Sequence, residues 1–428
     1  MIAISLAMVL TSYLLICRQD RSWLNWATSS YFVTVLSIFI FPLLSLVSVG
    51  PVGSAYAYFF CYTTYALSNL CLAVSYVLTQ RIPYSSGEPS ASTFVIGRLP
   101  WVFLAMGFLF YAPILIQFSS LLLHPREIYT QTRSGYGPLV FGSRAFLNLA
   151  FVVYLFKKDK RRSSAFFFFG VCVVMIFFHG SKGLFLNLLS MAMLYWVYIK
   201  GRRLGFAQAA GCIVLFTVVA GALFAVFADI SDVPELLSYV QGYSDYTKNA
   251  MLVIDDPARH PTWGRLTLEA EIYARVPRVL YPEKPSNFGM FKLAQDYYPE
   301  WYRSDTGDPD FNIGMQYADF GPLAILFLCL TSSLSGILTG LVVRSLNRTG
   351  SPPIFILLLF FSGIAIVSFG SGYALPESAL LAATVWLFTR PKRDTAIDSR
   401  PLALQANKET STLPFQQGNT TPEPLHES

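Results

Sequence analysis

Residues 206–228 read FAQAAGCIVLFTVVAGALFAVFA, without a charge, and Asp229 then opens a polar stretch that runs to Phe320. An uncharged run of that length crosses the bilayer as a helix, because hydrocarbon offers the backbone no hydrogen-bond partner and only a helix satisfies every N–H and C=O internally. Similar runs lie on both sides of it, at 2–17, 31–49, 55–78, 101–123, 138–156, 164–179, 183–199, 321–343, 353–371 and 374–389. The reading is an all-α polytopic membrane protein of eleven helices. Hydrophobic residues make up 54% of the chain and charged ones 13%, with a mean hydropathy of +0.48, and no soluble domain hides that much apolar surface.

Cations mark the topology. Arg18/Arg21, Arg81/Arg98, Lys157 to Arg162, Lys200/Arg202/Arg203, Arg344/Arg348 and Arg390/Lys392/Arg393 fall in alternate connections, while the connections between them are cation-poor outside the long one. By the positive-inside rule the amino terminus and the 229–320 loop are external and the carboxyl terminus cytoplasmic. The expected organisation is eight helices over 1–228, the external loop with short helices over 229–320, three helices over 321–390, and a disordered tail over 391–428.

Several classes are excluded. The basic rim signals topology, not nucleic acid. The six Cys all lie in or beside helices, with no disulfide frame or zinc spacing. Met1 to Ile16 lacks a leading cation and reads as a first helix, not a cleaved signal. No internal repeat points to an inverted-repeat transporter. Asp305, Asp308 and Asp310 miss the alternate spacing of a calcium loop, and neither a metal nor a cofactor is expected.

The chemistry concentrates in the long loop, which holds 15 of the chain's 25 carboxylates and 8 of its 31 Lys and Arg, a net −7. Arg265 to Arg275 reads as a short helix in which Arg265/Glu269 and Glu271/Arg275 are i,i+4 pairs. Pro277, Pro282 and Pro285 then stiffen an extended segment carrying Arg278, Tyr281, Glu283 and Lys284. Tyr297, Tyr298, Trp301 and Tyr302 supply faces for stacking on sugars. Within the spans, Arg144 is the clearest charge at depth, and such groups face cavities. His179-Gly180-Ser181-Lys182 forms an external hairpin at the same level, Glu377 is a fourth group there, and Arg126 to Arg133 offers a fork of donors for an anion.

Gly142-Ser143-Arg144, Gly180-Ser181-Lys182-Gly183, the Pro277 to Pro285 run, and Asn312 to Gly321 with Tyr317 at its centre make the chain resemble bacterial O-antigen repeat-unit polymerases of the Wzy type. Arg followed eleven positions later by Gly, a pattern described for some of them, occurs at Arg126/Gly137, Arg278/Gly289 and Arg303/Gly314. The resemblance implies a glycosyltransferase of the bacterial inner membrane, GT-C-like in fold, that moves a growing glycan from one polyprenyl diphosphate carrier to the next carrier-linked repeat unit. A flippase and a chain-length regulator of the same pathway would be its partners. In that chemistry Arg278 and Arg144 hold the diphosphate, Glu269 or Glu271 is the general base, and Arg126, Arg133, Lys182, Arg265, Arg275, Lys284, Tyr281 and Tyr317 contact substrate. Two rival readings are an O-antigen ligase, for which His260 beside Arg259 would serve, and a lipid-linked oligosaccharide flippase.

Overall fold

The computed structural model describes residues 1–82, 93–132, 135–157, 162–228, 245–276, 278, 280–300, 302, 309–364, 366 and 374–392. Each apolar run of the sequence carries a helix. The first part of the chain forms α1 (Ile2–Asp20), α2 (Thr28–Thr34), α3 (Phe41–Val49), α4 (Ala55–Arg81), α5 (Leu99–Gln117), α6 (Pro125–Gln131), α7 (Gly137–Leu155), α8 (Arg162–Phe178), α9 (Lys182–Tyr198) and α10 (Phe206–Ala228). A π-helical turn at Val35–Ile40 joins α2 to α3 as one rod. The long loop contains α11 (Asp245–Asp255), α12 (Arg265–Arg275), α13 (Met290–Tyr297) and α14 (Ile313–Phe320), followed by α15 (Ala324–Thr349), α16 (Pro352–Phe361) and α17 (Leu375–Phe388).

Among the described residues, six rods are long and apolar enough to cross a membrane: Ile2–Asp20, Thr28–Ser48, Ala55–Arg81, Leu99–Gln117, Gly137–Leu155 and Ile313–Thr349. In α8, α9, α10, α16 and α17 the described apolar stretches are shorter. The run at 353–371 differs from a single span. Its helix stops at Phe361, where Ile364 N–H donates to Leu359 O and Gly363 takes a left-handed φ of 76° that closes the turn. The freed backbone is used inside the protein, since Asn148 on α7 donates to Ile366 O at 3.0 Å.

α7 is the central helix: 61% of its span is buried, against 17–39% for the other five. Glycines let its neighbours approach. A Cβ at Gly142 would sit 2.6 Å from the Phe110 ring of α5, and on α15 one at Gly336 would sit 2.4 Å from Leu72 O of α4, with Gly340 one turn on against Thr79. Helices without a hydrophobic drive to associate pack through such small residues.

The two ends of the bundle are tied differently. At one end Asp20 accepts from Tyr76 Oη at 2.5 Å and Tyr198 Oη at 2.6 Å, joining α1, α4 and α9. Near it β1 (Thr93–Val95) pairs antiparallel with β2 (Arg390–Lys392), Thr93 opposite Lys392. Pro391 and Lys392 thus belong to a strand, and the expected tail beyond them, 393–428, lies outside the described residues.

The other end carries a small helical lobe with its own core of Val253, Leu266, Leu293, Phe311, Met315 and Ala318. Asp319, fully buried, caps α12 from the end of α14. Its carboxylate accepts from Leu266 N at 2.9 Å, Thr267 N at 2.8 Å, Thr267 Oγ1 at 2.6 Å and Thr262 Oγ1 at 2.5 Å, satisfying N–H groups that a helix start leaves unpaired. Asp255, at the end of α11, accepts from Ser54 N at 2.7 Å and Ser54 Oγ at 2.5 Å, and Ser54 caps α4. The Asp319 cap thus holds the lobe's own helices together, and Asp255 pins the lobe to the membrane body at the start of α4. Asp319→Ala leaves buried donors without partners, at about 1–3 kcal/mol each; limited proteolysis of the full-length protein in detergent is expected to cut α12 and α13 faster, while unchanged cleavage would contradict the capping role.

Candidate functional site

At the lobe-facing end of the bundle, α5, α6, α7 and the α8–α9 turn bring one polar cluster together. Gly142 admits α5 against α7, which sets Tyr111 beside the residues that follow it. Ser143 Oγ lies 2.9 Å from His179 Nε2, both buried, and the Tyr111 ring packs on the imidazole with centroids 3.9 Å apart. Tyr111 Oη donates to Phe178 O at 2.7 Å, holding the last turn of α8. Gly180, at φ 58°, presses against the first turn of α6: a Cβ there would lie 2.2 Å from Pro125 O.

That contact seats Tyr129 next to α7. Its ring receives Arg126 Cζ at 5.0 Å from the centroid and Arg144 Cζ at 5.7 Å. Among the described residues no carboxylate pairs with either arginine. Arg144 Nε and His179 Nδ1 are buried without a hydrogen-bond partner there. A guanidinium with a buried unused donor and no carboxylate beside it among the described residues is chemically suited to an anion. The structure brings Arg126 and Arg144 together at Tyr129, with His179 of the 179–182 turn against Ser143, the residue before Arg144. Lys182 begins α9, but its side chain, like all of Arg133, lies outside the described residues.

Glu377 belongs to a second cluster, not to this rim. Buried at 7% exposure, it takes Arg275 Nε at 2.7 Å on one carboxylate oxygen and Nη2 at 3.3 Å on the other. Arg275 also binds the Glu271 carboxylate and donates to Glu271 O at 2.7 Å. The hydrogen bond to Glu377, and after it Glu271, hold the Arg275 guanidinium charged. Arg275, expected among the substrate contacts, is here engaged by two carboxylates. It fastens α12 to α17, and the chain between α16 and α17 in turn touches α7 at Asn148, one helical turn from Arg144.

The proline-rich run folds back where an extended course was expected. With Pro282 after Tyr281, Lys284 N donates to Tyr281 O at 3.1 Å, a turn that proline favours. Arg278 closes it, donating to Lys284 O at 2.7 Å and Pro285 O at 3.3 Å, while Lys284 Nζ donates to Val276 O at 3.1 Å at the end of α12. Burial, and then the neighbouring Arg278, hold the Lys284 amine below its usual range. Arg278 remains exposed, and no hydrogen bond or ion pair among the described residues joins it to Arg144. Arg265 pairs with Glu269 at 2.6 Å as the spacing predicts, Tyr281 stacks on Tyr273 at 6.2 Å, and Tyr317 packs edge-on against Phe60 at 4.8 Å.

Two of the expected sugar platforms are structural. Tyr297 donates to Asp256 at 2.7 Å and Tyr298 to Asn249 at 2.7 Å, and both rings pack on Phe311 in the lobe core; Tyr302 donates to Ser286 O at 3.1 Å, and Trp301 lies outside the described residues. The Asp319 cap, the Ser143–His179 contact and the part played by Tyr111 were not read from the sequence. Each joins segments distant along the chain, and Tyr111 sits in an apolar run with nothing to distinguish it from an interfacial aromatic.

No protein-family model matches the chain, and no solved structure does. The O-antigen polymerases of Salmonella typhimurium (strain LT2) and Salmonella typhi are each 30% identical to it over 392 residues, covering 90% of this chain and 94% of theirs. That similarity runs through the transmembrane helices and the polar lobe alike, and it places the chain in the O-antigen polymerase family.

Proposed function

We propose that the protein polymerises O-antigen repeat units by glycosyl transfer between polyprenyl-diphosphate-linked glycans, at the external face of the bacterial inner membrane. Eleven crossings, with the start of α1 and the lobe external and the end of α17 cytoplasmic, accord with the alternation of cationic loops and with the β1–β2 pairing at one end of the bundle. The observation that carries the reading is the pair Arg126 and Arg144 around Tyr129, cationic and without a counter-charge among the described residues.

In the transfer, an acceptor sugar hydroxyl bonds to the donor's anomeric carbon. The bond from that carbon to the diphosphate breaks, its electron pair leaving on the diphosphate, and the hydroxyl proton passes to a carboxylate. Arg144 and Arg126 stabilise the charge that gathers on the leaving group, worth several kcal/mol where water is excluded. Lys182 at the head of α9 and the exposed Arg278 add further positive charge along the glycan's path. Glu271 serves as the base: Arg275 and Glu377 hold it on the side of α12 that faces the membrane body, whereas Glu269 is turned toward the exposed Arg265. The ligase alternative has less support, because Arg259, which would accompany His260, is bound to Asp296 at 2.8 Å.

The test is a gel of surface and carrier-linked glycans from a deletion strain supplied with variants of this chain. Arg144→Ala is expected to collapse the ladder to single repeats with protein abundance unchanged, and Arg144→Lys to recover part of it; a normal ladder from Arg144→Ala would remove this residue from the site. Long polymer stranded on the carrier in the deletion strain would mean ligation instead. Glu271→Gln is expected to lower the polymerisation rate by about 10²–10⁴-fold, the usual contribution of a general base, and Glu269→Gln by less than tenfold; the reverse order would transfer the role to Glu269.

A further inference from the structure

Two grooves in the membrane body flank the α8–α9 hairpin. The first, about 660 Å³, opens between α5 and α8 and is lined by Trp101, Leu104, Phe108, Tyr111, Gly170 and Phe178 among others. The second, about 560 Å³, lies between the α2–α3 rod, α9 and α10, with Phe32, Leu36, Ser37, Gly183, Ser190 and Phe216 on its walls. Both volumes suit a small-ligand site, about 300–1,000 Å³. Both are kept open by the sequence. At Gly170 and Gly221 a Cβ would meet nothing within 4 Å, and the π-helical turn supplies Leu36 and Ser37 of the second wall.

Their courses are similar. The first runs down α5 from Leu115 past Tyr111 to Trp101, about 21 Å, and the second down α9 from Gly183 to Met193, about 15 Å, so each covers half the hydrocarbon thickness or more. Each meets the polar cluster: the Tyr111 ring rests on His179, and Gly183 is the second residue of α9, directly after the 179–182 turn. The first is almost wholly apolar and passes the Arg144 level at Tyr111. The second carries Ser37, Asn187 and Ser190 along an otherwise apolar wall. Exposed Phe108, Phe167 and Val174 border the first and exposed Val33 the second, so both open sideways to lipid.

A transfer between two lipid-linked glycans needs both carriers anchored at once, with both heads at one external site. We propose that the two grooves hold the two polyprenyl tails, the α5–α8 groove that of the donor, whose diphosphate then reaches Arg144, and the α9 groove that of the acceptor. This rests on the polymerase reading above. It makes the α8–α9 hairpin the partition between the substrates, with the 179–182 turn at the point where their heads meet.

The experiment uses the full chain in phospholipid nanodiscs and a polyprenyl diphosphate bearing a diazirine in its tail, with labelled peptides mapped after irradiation. Label is expected in both α5–α8 and α2–α9–α10 peptides, displaced by unlabelled polyprenyl diphosphate and not by equal phosphatidylglycerol. Gly170→Trp is expected to cut label in the first groove about tenfold and leave the second; Gly221→Trp is expected to do the converse. Label confined to one groove, label elsewhere on the protein, or equal displacement by phosphatidylglycerol, which would mean bilayer lipid only, overturns the proposal. The wild-type map decides this even if a variant fails to fold. Polymer formation from carrier-linked repeats in the same nanodiscs separates the two readings. Polymer with unlabelled grooves overturns the grooves alone, and labelled grooves without polymer overturn the polymerase reading on which the assignment of tails depends.

Discussion

Hydrocarbon's refusal to hydrogen-bond governs this molecule. It forces the apolar runs into helices, and it makes any break costly unless protein supplies the missing partners. The break after α16 shows how that cost is met: Gly363 closes the turn, and the Asn148 amide takes Ile366 O. The same constraint leaves van der Waals contact as the main glue between spans, which is why Gly142, Gly336 and Gly340 stand where helices approach most closely.

Charge is confined by the same rule, and its few exceptions define function. Arg126 and Arg144 sit at the end of the bundle that faces the lobe, sharing Tyr129, while the carboxylates of the lobe are largely spent on structure. Asp319 caps α12, Asp255 holds the start of α4, and Glu271 and Glu377 share Arg275. Among the described residues, no carboxylate of the lobe pairs with this cationic rim. Two carboxylate contacts, Asp255 with Ser54 and Glu377 with Arg275, fasten the lobe to the membrane body, and the Asp319 cap stiffens the lobe itself, so that α12 is presented as a rigid element. Rigid placement is what a transfer between two large glycans requires, since the binding energy of the chains is useful only if the reacting atoms are held in line.

The relatives extend over both the spans and the lobe, so lobe and membrane body belong to one working unit. The hairpin of α8 and α9 links these parts: its turn reaches α6 at Gly180, α7 through His179 and α5 through Tyr111. One short turn therefore sets the relative positions of three helices at the lobe-facing end.

The places of the apolar helices, the helix at Arg265–Arg275 with its two ion pairs, and Arg144 as a buried charge among them were legible in the residues. Each depends on local composition or on a spacing of a few positions, which helix geometry and the bilayer translate directly. The fold-back of the Pro277 to Pro285 run was not legible, because Arg278 and Lys284 are bound by backbone carbonyls that no side-chain pattern announces. Neither was the division of the ionisable groups into two clusters. Glu377 and Arg275 are 102 positions apart, and Ser143 and His179 are 36 apart. Only the packing of α12 on α17, and of α7 on the α8–α9 turn, decides which charges among the described residues meet a carboxylate and which do not.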